Sequence, residues 1–146
     1  MITIDFKLDE DFFNKTVKVE IPLRKIAVEV KKSIESDLKG SRSFDGSGLA
    51  PLNKKYAERK RKKLGHSRIF DGFRKGKAKL INSVIVNKIS NDEYDITITD
   101  ANKDIMYWLQ TGAPPMNGKR KGFGINDNKV NAIFSKLDKE IKLTYV

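Results

Sequence analysis

The spacing of apolar residues changes sharply at Pro22, and that change fixes what the N-terminal part of the chain can become. Before it, Ile2, Ile4, Phe6 and Leu8 alternate with Thr3, Asp5 and Lys7, and Val17, Val19 and Ile21 alternate with Lys18 and Glu20. A period of two is the pattern of a strand with one face buried. The two runs predict a hairpin or arm over residues 1–22, ended by Pro22, which cannot donate to a sheet ladder. After it the period is helical. Leu23, Ile26, Ala27, Val30, Ile34 and Leu38 fall on one face, while Arg24, Lys31, Lys32 and Glu35 fall away from it. Gly40 is the expected stop.

Further along, residues 41–53 read as an extended loop of turn residues between isolated apolar anchors. Asn53 is placed to cap a short helix closed by Gly65, and Tyr56, Ala57 and Leu64 are its only apolar residues, so it should be mostly exposed. Residues 66–79, with Gly72 and Gly76, read as a loop. The clearest hairpin joins the β-branched run 83–89 to the alternating run 94–99 through Ser90–Glu93. Asp100 should cap a helix through Ile105, Met106, Trp108 and Leu109 that ends at Gly112. After an irregular loop, Asn126 or Asp127 should cap a last helix with Val130, Ile133, Phe134, Leu137 and Ile141 on its apolar face. With 146 residues and no dividing linker, the expectation is a single α+β domain. Its antiparallel sheet, built around residues 83–99, is packed by a long N-terminal helix and a C-terminal helix, with long polar loops. The expected core is Ile26, Val30, Ile34, Ile96, Ile98, Trp108, Ile133, Phe134 and Leu137.

Thirty Lys and Arg face nineteen Asp and Glu, and the surplus is not spread evenly. Twelve cations fall between residues 54 and 79: Lys54, Lys55, Arg59, Lys60, Arg61, Lys62, Lys63, Arg68, Arg74, Lys75, Lys77 and Lys79. Only Glu58 and Asp71 oppose them. Lys119, Arg120 and Lys121 form a second cluster between Gly118 and Gly122. The first residues run the other way, with Asp5, Asp9, Glu10, Asp11 and Glu20 outweighing Lys7, Lys15 and Lys18. Segregated charge of this kind attracts polyanions or an acidic protein surface.

Chemistry is harder to find. The chain has no cysteine and one histidine, which excludes thiolate metal sites, Cys nucleophiles and two-His metal centres. Asp45, Glu58 and Lys60 share residue types with the Asp…Glu-x-Lys set of metal-dependent nucleases. On a helix, however, Glu58 and Lys60 lie two residues apart and point in different directions. Gly46-Ser47-Gly48 lacks the Lys-Ser/Thr and the strand-to-helix setting of a phosphate loop, so it reads as a turn. His66 has no visible partner and reads as a turn residue. Trp108 with Tyr107 would make a base-stacking platform, but the helical spacing with Ile105 and Leu109 favours packing. The expectation is a protein that is not an enzyme, with no catalytic residue, no metal and no cofactor. No apolar run is long enough to span a membrane, and the acidic, alternating N-terminus lacks a signal-peptide pattern.

The order of motifs resembles a known family. Phe44-Asp-Gly-Ser-Gly-Leu-Ala-Pro-Leu-Asn-Lys-Lys-Tyr-Ala-Glu-Arg-Lys60 is similar to the G-x-x-W-x-P-L-S-x-x-Y-x-x-R-K stretch of the phage virion-morphogenesis family, the tail-completion proteins of Mu-like and related tailed phages. That family continues with an I-L-x-x-T-G-x-L-x-x-S-I segment, a hairpin, a helix ending in Q-x-G or F-G, and a Pro-rich loop. Here the corresponding stretches are Arg68-Ile-Phe70, Lys79-Leu-Ile-Asn-Ser-Val84, the hairpin 83–99, Trp108-Leu-Gln-Thr-Gly112 and Ala113-Pro-Pro-Met116. Leu49 or Ala50 stands where the family often has Trp, and residues 71–76 replace its tighter Thr-Gly turn.

The resemblance implies a structural virion protein that completes the head-proximal end of a tail and joins it to the neck. It implies a homo-oligomeric ring, with sixfold symmetry expected. Its partners would be neck or head-completion proteins and tail-tube or terminator proteins, and it would be assembled in the host cytoplasm into the virion. The basic segment and the 119–121 loop would then meet either a partner, such as the acidic N-terminal arm of a neighbouring copy, or DNA passing through the lumen. The long polar loops suit segments that order on docking. The alternative is a free-standing basic nucleic-acid-binding protein using residues 54–79, with salt-sensitive and sequence-blind binding to phosphate.

Overall fold

A computed structural model describes residues 2–7, 16–112 and 118–145. Strand β1 (Ile2–Lys7) pairs antiparallel with β2 (Thr16–Ile21), in a register that sets Ile2 against Ile21, Ile4 against Val19 and Phe6 against Val17. The expected N-terminal hairpin is therefore present. A last strand, β5 (Lys142–Tyr145), pairs with the other edge of β2 and makes the sheet three-stranded, in the order β1-β2-β5.

Buried Pro22 separates β2 from helix α1 (Leu23–Lys39). Ala27, Ile34 and Leu38 are buried on the expected face of α1, while Ile26 and Val30 are half-buried. The helix ends at Gly40 as expected, but the left-handed residue is Ser41, at φ 51°. Ser41 N–H donates to the Leu38 carbonyl and Arg42 N–H to that of Asp37, a Schellman closure displaced by one residue.

Helix α2 (Lys54–Leu64) follows, then two short 3-10 turns, Gly76–Ala78 and Leu80–Asn82. The hairpin β3 (Val84–Lys88) and β4 (Tyr94–Ile98) pairs Val84 with Ile98 and Val86 with Ile96. Helix α3 (Asp100–Thr111) ends in left-handed Gly112, and α4 (Asp127–Leu137) is capped by Asn126, whose side chain accepts from Lys129 N–H. The fold is α+β. Asp100 is the first residue of α3 rather than its cap; its carboxylate pairs with Lys103 at 2.8 Å.

One core cluster joins α1, the segment 70–80, the β3–β4 hairpin and α3: Ile34, Leu38, Phe70, Leu80, Val84, Ile98, Met106 and Leu109. Helix α4 adds Ile133 and Leu137; two ion pairs stitch it antiparallel to α1, Lys129–Asp37 (2.5 Å) and Lys136–Glu29 (2.9 Å), and a third, Lys25–Glu140 (2.5 Å), joins α1 to the 3-10 turn that follows α4. Three expectations need correction. Phe134 is 43% exposed, because the buried line of α4 runs through Ile133 and Leu137 and a helix turns about 100° per residue. Trp108 is only half-buried, because the inward line of α3 runs through Asn102, Met106 and Leu109. Ile141 lies beyond α4, which gives way to a 3-10 turn, Asp138–Glu140.

The two long loops are held to each other. Phe44 N–H donates to the Lys121 carbonyl, Ala50 N–H to that of Lys119, and the Asn126 side chain to that of Phe44. Gly122 crosses directly over the core. A Cβ there would lie 2.5 Å from the Phe70 ring and 2.8 Å from Leu38, so only glycine lets the backbone pass.

Candidate functional site

Helix α2 begins where the Asn53 side chain accepts from Lys55 N–H and stops where Gly65 turns left-handed, both as its sequence predicts. Its inward line is Ala57, Lys60 and Leu64, spaced three and four residues apart. The middle position holds a lysine. Lys60 is wholly buried, donates through Nζ to the Arg68 carbonyl, and lies 5.6 Å from the centre of the Tyr56 ring. Burial holds the pKa of its ammonium below the usual lysine range, partly offset by the nearby Asp71 carboxylate. Lys60 is therefore not part of a contacting surface, contrary to expectation; it docks α2 onto the body.

Asp71 is buried at the centre of the same cluster. Its Oδ1 accepts from Lys79 Nζ at 2.7 Å, and its Oδ2 lies 3.3 Å from His66 Nε2. His66 Nδ1 in turn accepts from Arg68 N–H at 3.2 Å, which puts the proton of a neutral ring on Nε2, facing Asp71. The histidine has a partner that the sequence did not reveal, and the pair braces the turn 66–71. Among the described residues no group of His, Asp and Glu is arranged to hold a metal ion.

The other expected basic residues divide into two groups. Lys54, Lys55, Arg59, Arg61, Lys62 and Lys63 are exposed along α2, and none makes an ion pair among the described residues. Arg68, Lys75, Lys77 and Lys119 are also exposed. Arg74 is exposed but anchored, donating to the Ala101 carbonyl and to Asn102 Oδ1. Lys79 is half-buried on Asp71, and Lys121 lies 3.4 Å from Asp45.

Arg120, expected as a loop contact, is only 3% exposed. Its guanidinium donates to the Ala50 and Pro51 carbonyls at 2.8 and 2.7 Å and rivets one loop to the other; burial lowers its pKa. The exposed patch is therefore the outer face of α2 with its flanks, smaller than the run of charge in the sequence.

Beneath that helix lies an apolar cleft of about 570 Å³, floored by Phe70, Leu80 and Leu109 and walled by Leu52, Tyr56 and Phe73. Phe73 meets Tyr56 edge to face at 5.9 Å, and the Arg59 guanidinium and Lys63 ammonium sit over its ring at 5.0 and 5.9 Å. Arg74, Lys79 and Arg120 also line the cleft, each held by internal partners, while Arg59 and Lys63 stand beside it over the Phe73 ring.

At the neighbouring loop, Asp45 Oδ1 accepts from the Ser47 N–H (3.0 Å) and hydroxyl (2.5 Å), a closed turn of the kind expected for Gly46-Ser47-Gly48. These bonds, with Lys121 helping, lower the Asp45 carboxyl to about 2. A depressed carboxyl contributes stability above its unfolded value of about 3.9 and loses it as pH falls through about 2. Carboxyl NMR titration should place Asp45 near that lower value, and Ser47→Ala should move it back towards the unfolded one.

No protein-family model, no characterised protein and no solved structure matches this chain. Among the described residues no helix is long and apolar enough to cross a membrane.

Proposed function

We propose that this chain is a non-enzymatic virion protein that completes the head-proximal end of a phage tail and joins it to the neck, acting as a ring. The observation that carries the reading is the order of motifs from Phe44 to Met116, which resembles that of tail-completion proteins. Three features of the fold agree with it. The Asn53-capped basic helix, the hairpin β3–β4 and the Gly112-terminated helix α3 follow one another in the order that the resemblance requires. The exposed cations of α2 make no ion pair among the described residues, a charge that a partner of opposite sign would balance. The body that carries them is fastened by Lys60, Asp71 and Arg120, so the patch is preformed. A second reading, phosphate binding by a free-standing protein, draws on the same six cations of α2.

Electron microscopy of a lysate from the source phage with this reading frame interrupted tests the proposal. Filled heads and finished tails lying unjoined, or tails of uncontrolled length, are the expected result. Intact, infectious particles would overturn it and leave the α2 face to the phosphate-binding reading.

A further inference from the structure

The hairpin β3–β4 ends in a tip that exposes an aliphatic side chain. Ile89, just past β3, is 59% exposed, although its backbone is fixed. Its N–H donates to the Glu93 carbonyl at 3.0 Å, as does that of Ser90 at 3.1 Å, and Asp92 N–H donates to the Ser90 hydroxyl at 3.2 Å. Close to it in the hairpin are the exposed Asp92, Glu93 and Asp95, which outnumber the exposed Lys88. None of the three carboxylates makes an ion pair among the described residues; the Lys103 pKa, raised mainly by its hydrogen bond to Asp100, is raised further by nearby Asp95. The cleft beside α2 offers the opposite charge: an apolar opening lined by Tyr56 and Phe73, with Arg59 and Lys63 over the Phe73 ring and Lys62 exposed on the same helix.

We propose that the acidic tip of one copy docks into the α2 cleft of the next. Ile89 enters the opening, and Asp92, Glu93 and Asp95 face Arg59, Lys62 and Lys63. The two patches are different surfaces of one chain, so the contact is heterologous and repeats head to tail, which closes a ring when the rotation between copies allows it. Apolar burial supplies the attraction, and the charges select the register. This rests on the ring reading above and names its contact. It assigns the acidic partner to the hairpin tip rather than to the N-terminal arm; Asp9, Glu10 and Asp11 of that arm lie outside the described residues.

Sedimentation of the purified full chain tests the contact with three proteins. The wild type should assemble beyond a monomer. A tip variant (Asp92→Lys, Glu93→Lys, Asp95→Lys) and a helix variant (Arg59→Glu, Lys62→Glu, Lys63→Glu) should each need roughly a hundredfold more protein to assemble, because each sets like charges against each other. Mixed in equal amounts, the two should assemble again as an alternating ring, a rescue that misfolded variants cannot give. A mixture that stays monomeric overturns the proposal. So does a tip variant that assembles like the wild type, which leaves the ring reading standing with its contact elsewhere; loss of assembly on reversing Asp9, Glu10 and Asp11 would then move the acidic partner to the N-terminal arm. A wild type that remains monomeric also overturns it, and if that monomer binds duplex DNA the α2 face goes to phosphate. The lysate experiment judges the tail reading independently of all these outcomes.

Discussion

Lys60→Glu should destabilise the fold by about 3–5 kcal/mol and release α2, while Lys62→Glu, two residues along the same basic run, should leave stability within about 0.5 kcal/mol of the wild type. The difference is burial. Lys60 is wholly enclosed, with the Arg68 carbonyl as acceptor and the Asp71 carboxylate nearby, so a carboxylate in its place faces an acceptor and a like charge without water. Lys62 stands in solvent. Denaturant unfolding measures the first effect, and hydrogen exchange across residues 54–64 locates it. Equal, small changes from both variants would sink the buried docking of α2. A reversal spanning Lys60–Lys63 would confound unfolding with lost assembly, which is why a test of the contact must leave Lys60 untouched.

Lys60→Met isolates the charge from the volume. Near-matched volume should keep its cost below about 1.5 kcal/mol, although the Arg68 carbonyl loses its donor. The pair of proteins also has a pH signature. Burial depresses the folded pKa of Lys60 below the unfolded value of about 10.4, so just under that pH the unfolded chain holds more protons than the folded one. The wild type should therefore gain stability relative to Lys60→Met as pH rises towards that value. A flat difference would mean that the ammonium is better solvated than its enclosure indicates.

Lys60 also shows what the sequence conceals. The β1–β2 and β3–β4 hairpins and the four helices are legible because their apolar residues keep a period, and the caps Asn53, Gly65, Gly112 and Asn126 are legible because each supplies a side-chain acceptor or a left-handed turn at a helix end. What period-reading loses is a polar residue standing on an apolar line. Lys60 fills the gap between Ala57 and Leu64. Asn102 begins the line that continues with Met106 and Leu109, its amide satisfied by the Ala78 carbonyl and Arg74. Asp37 sits beside Leu38, its carboxylate taken by Lys129 and Arg42. Asn102 and Asp37 find partners 24, 28 and 92 residues away in Ala78, Arg74 and Lys129, while Lys60 reaches Arg68 and Asp37 reaches Arg42 across a turn, and sequence pattern carries no record of any of these partners. The signal that existed was the regular gap itself. Strand β5 was lost for a related reason: its partner β2 lies at the other end of the chain.

Phe70→Ala should cost about 3–5 kcal/mol, a large share of the 5–15 kcal/mol typical of a domain, and should lower the melting temperature by roughly 10–15 °C. Phe70 is 1% exposed, belongs to the central cluster, and floors the cleft under α2 while Gly122 crosses against its ring. Truncation removes the shared wall between core and cleft, and the fixed loop above cannot collapse to fill it. Tyr107→Ala is the control: an aromatic 62% exposed on α3, expected to change stability by no more than about 0.5 kcal/mol. Thermal unfolding of both variants decides the matter, and a Phe70→Ala midpoint close to that of Tyr107→Ala would overturn this account of the core. The sequence places Phe70 in an unpatterned loop, since residues 66–79 form turns rather than a long element and leave no period to read. Yet that segment supplies the most enclosed aromatic ring among the described residues, together with Asp71 and Lys79, the partners that hold its fold. The cleft and the docking of α2 therefore both depend on a stretch held by turn hydrogen bonds and side-chain pairs that leave no apolar period in the sequence.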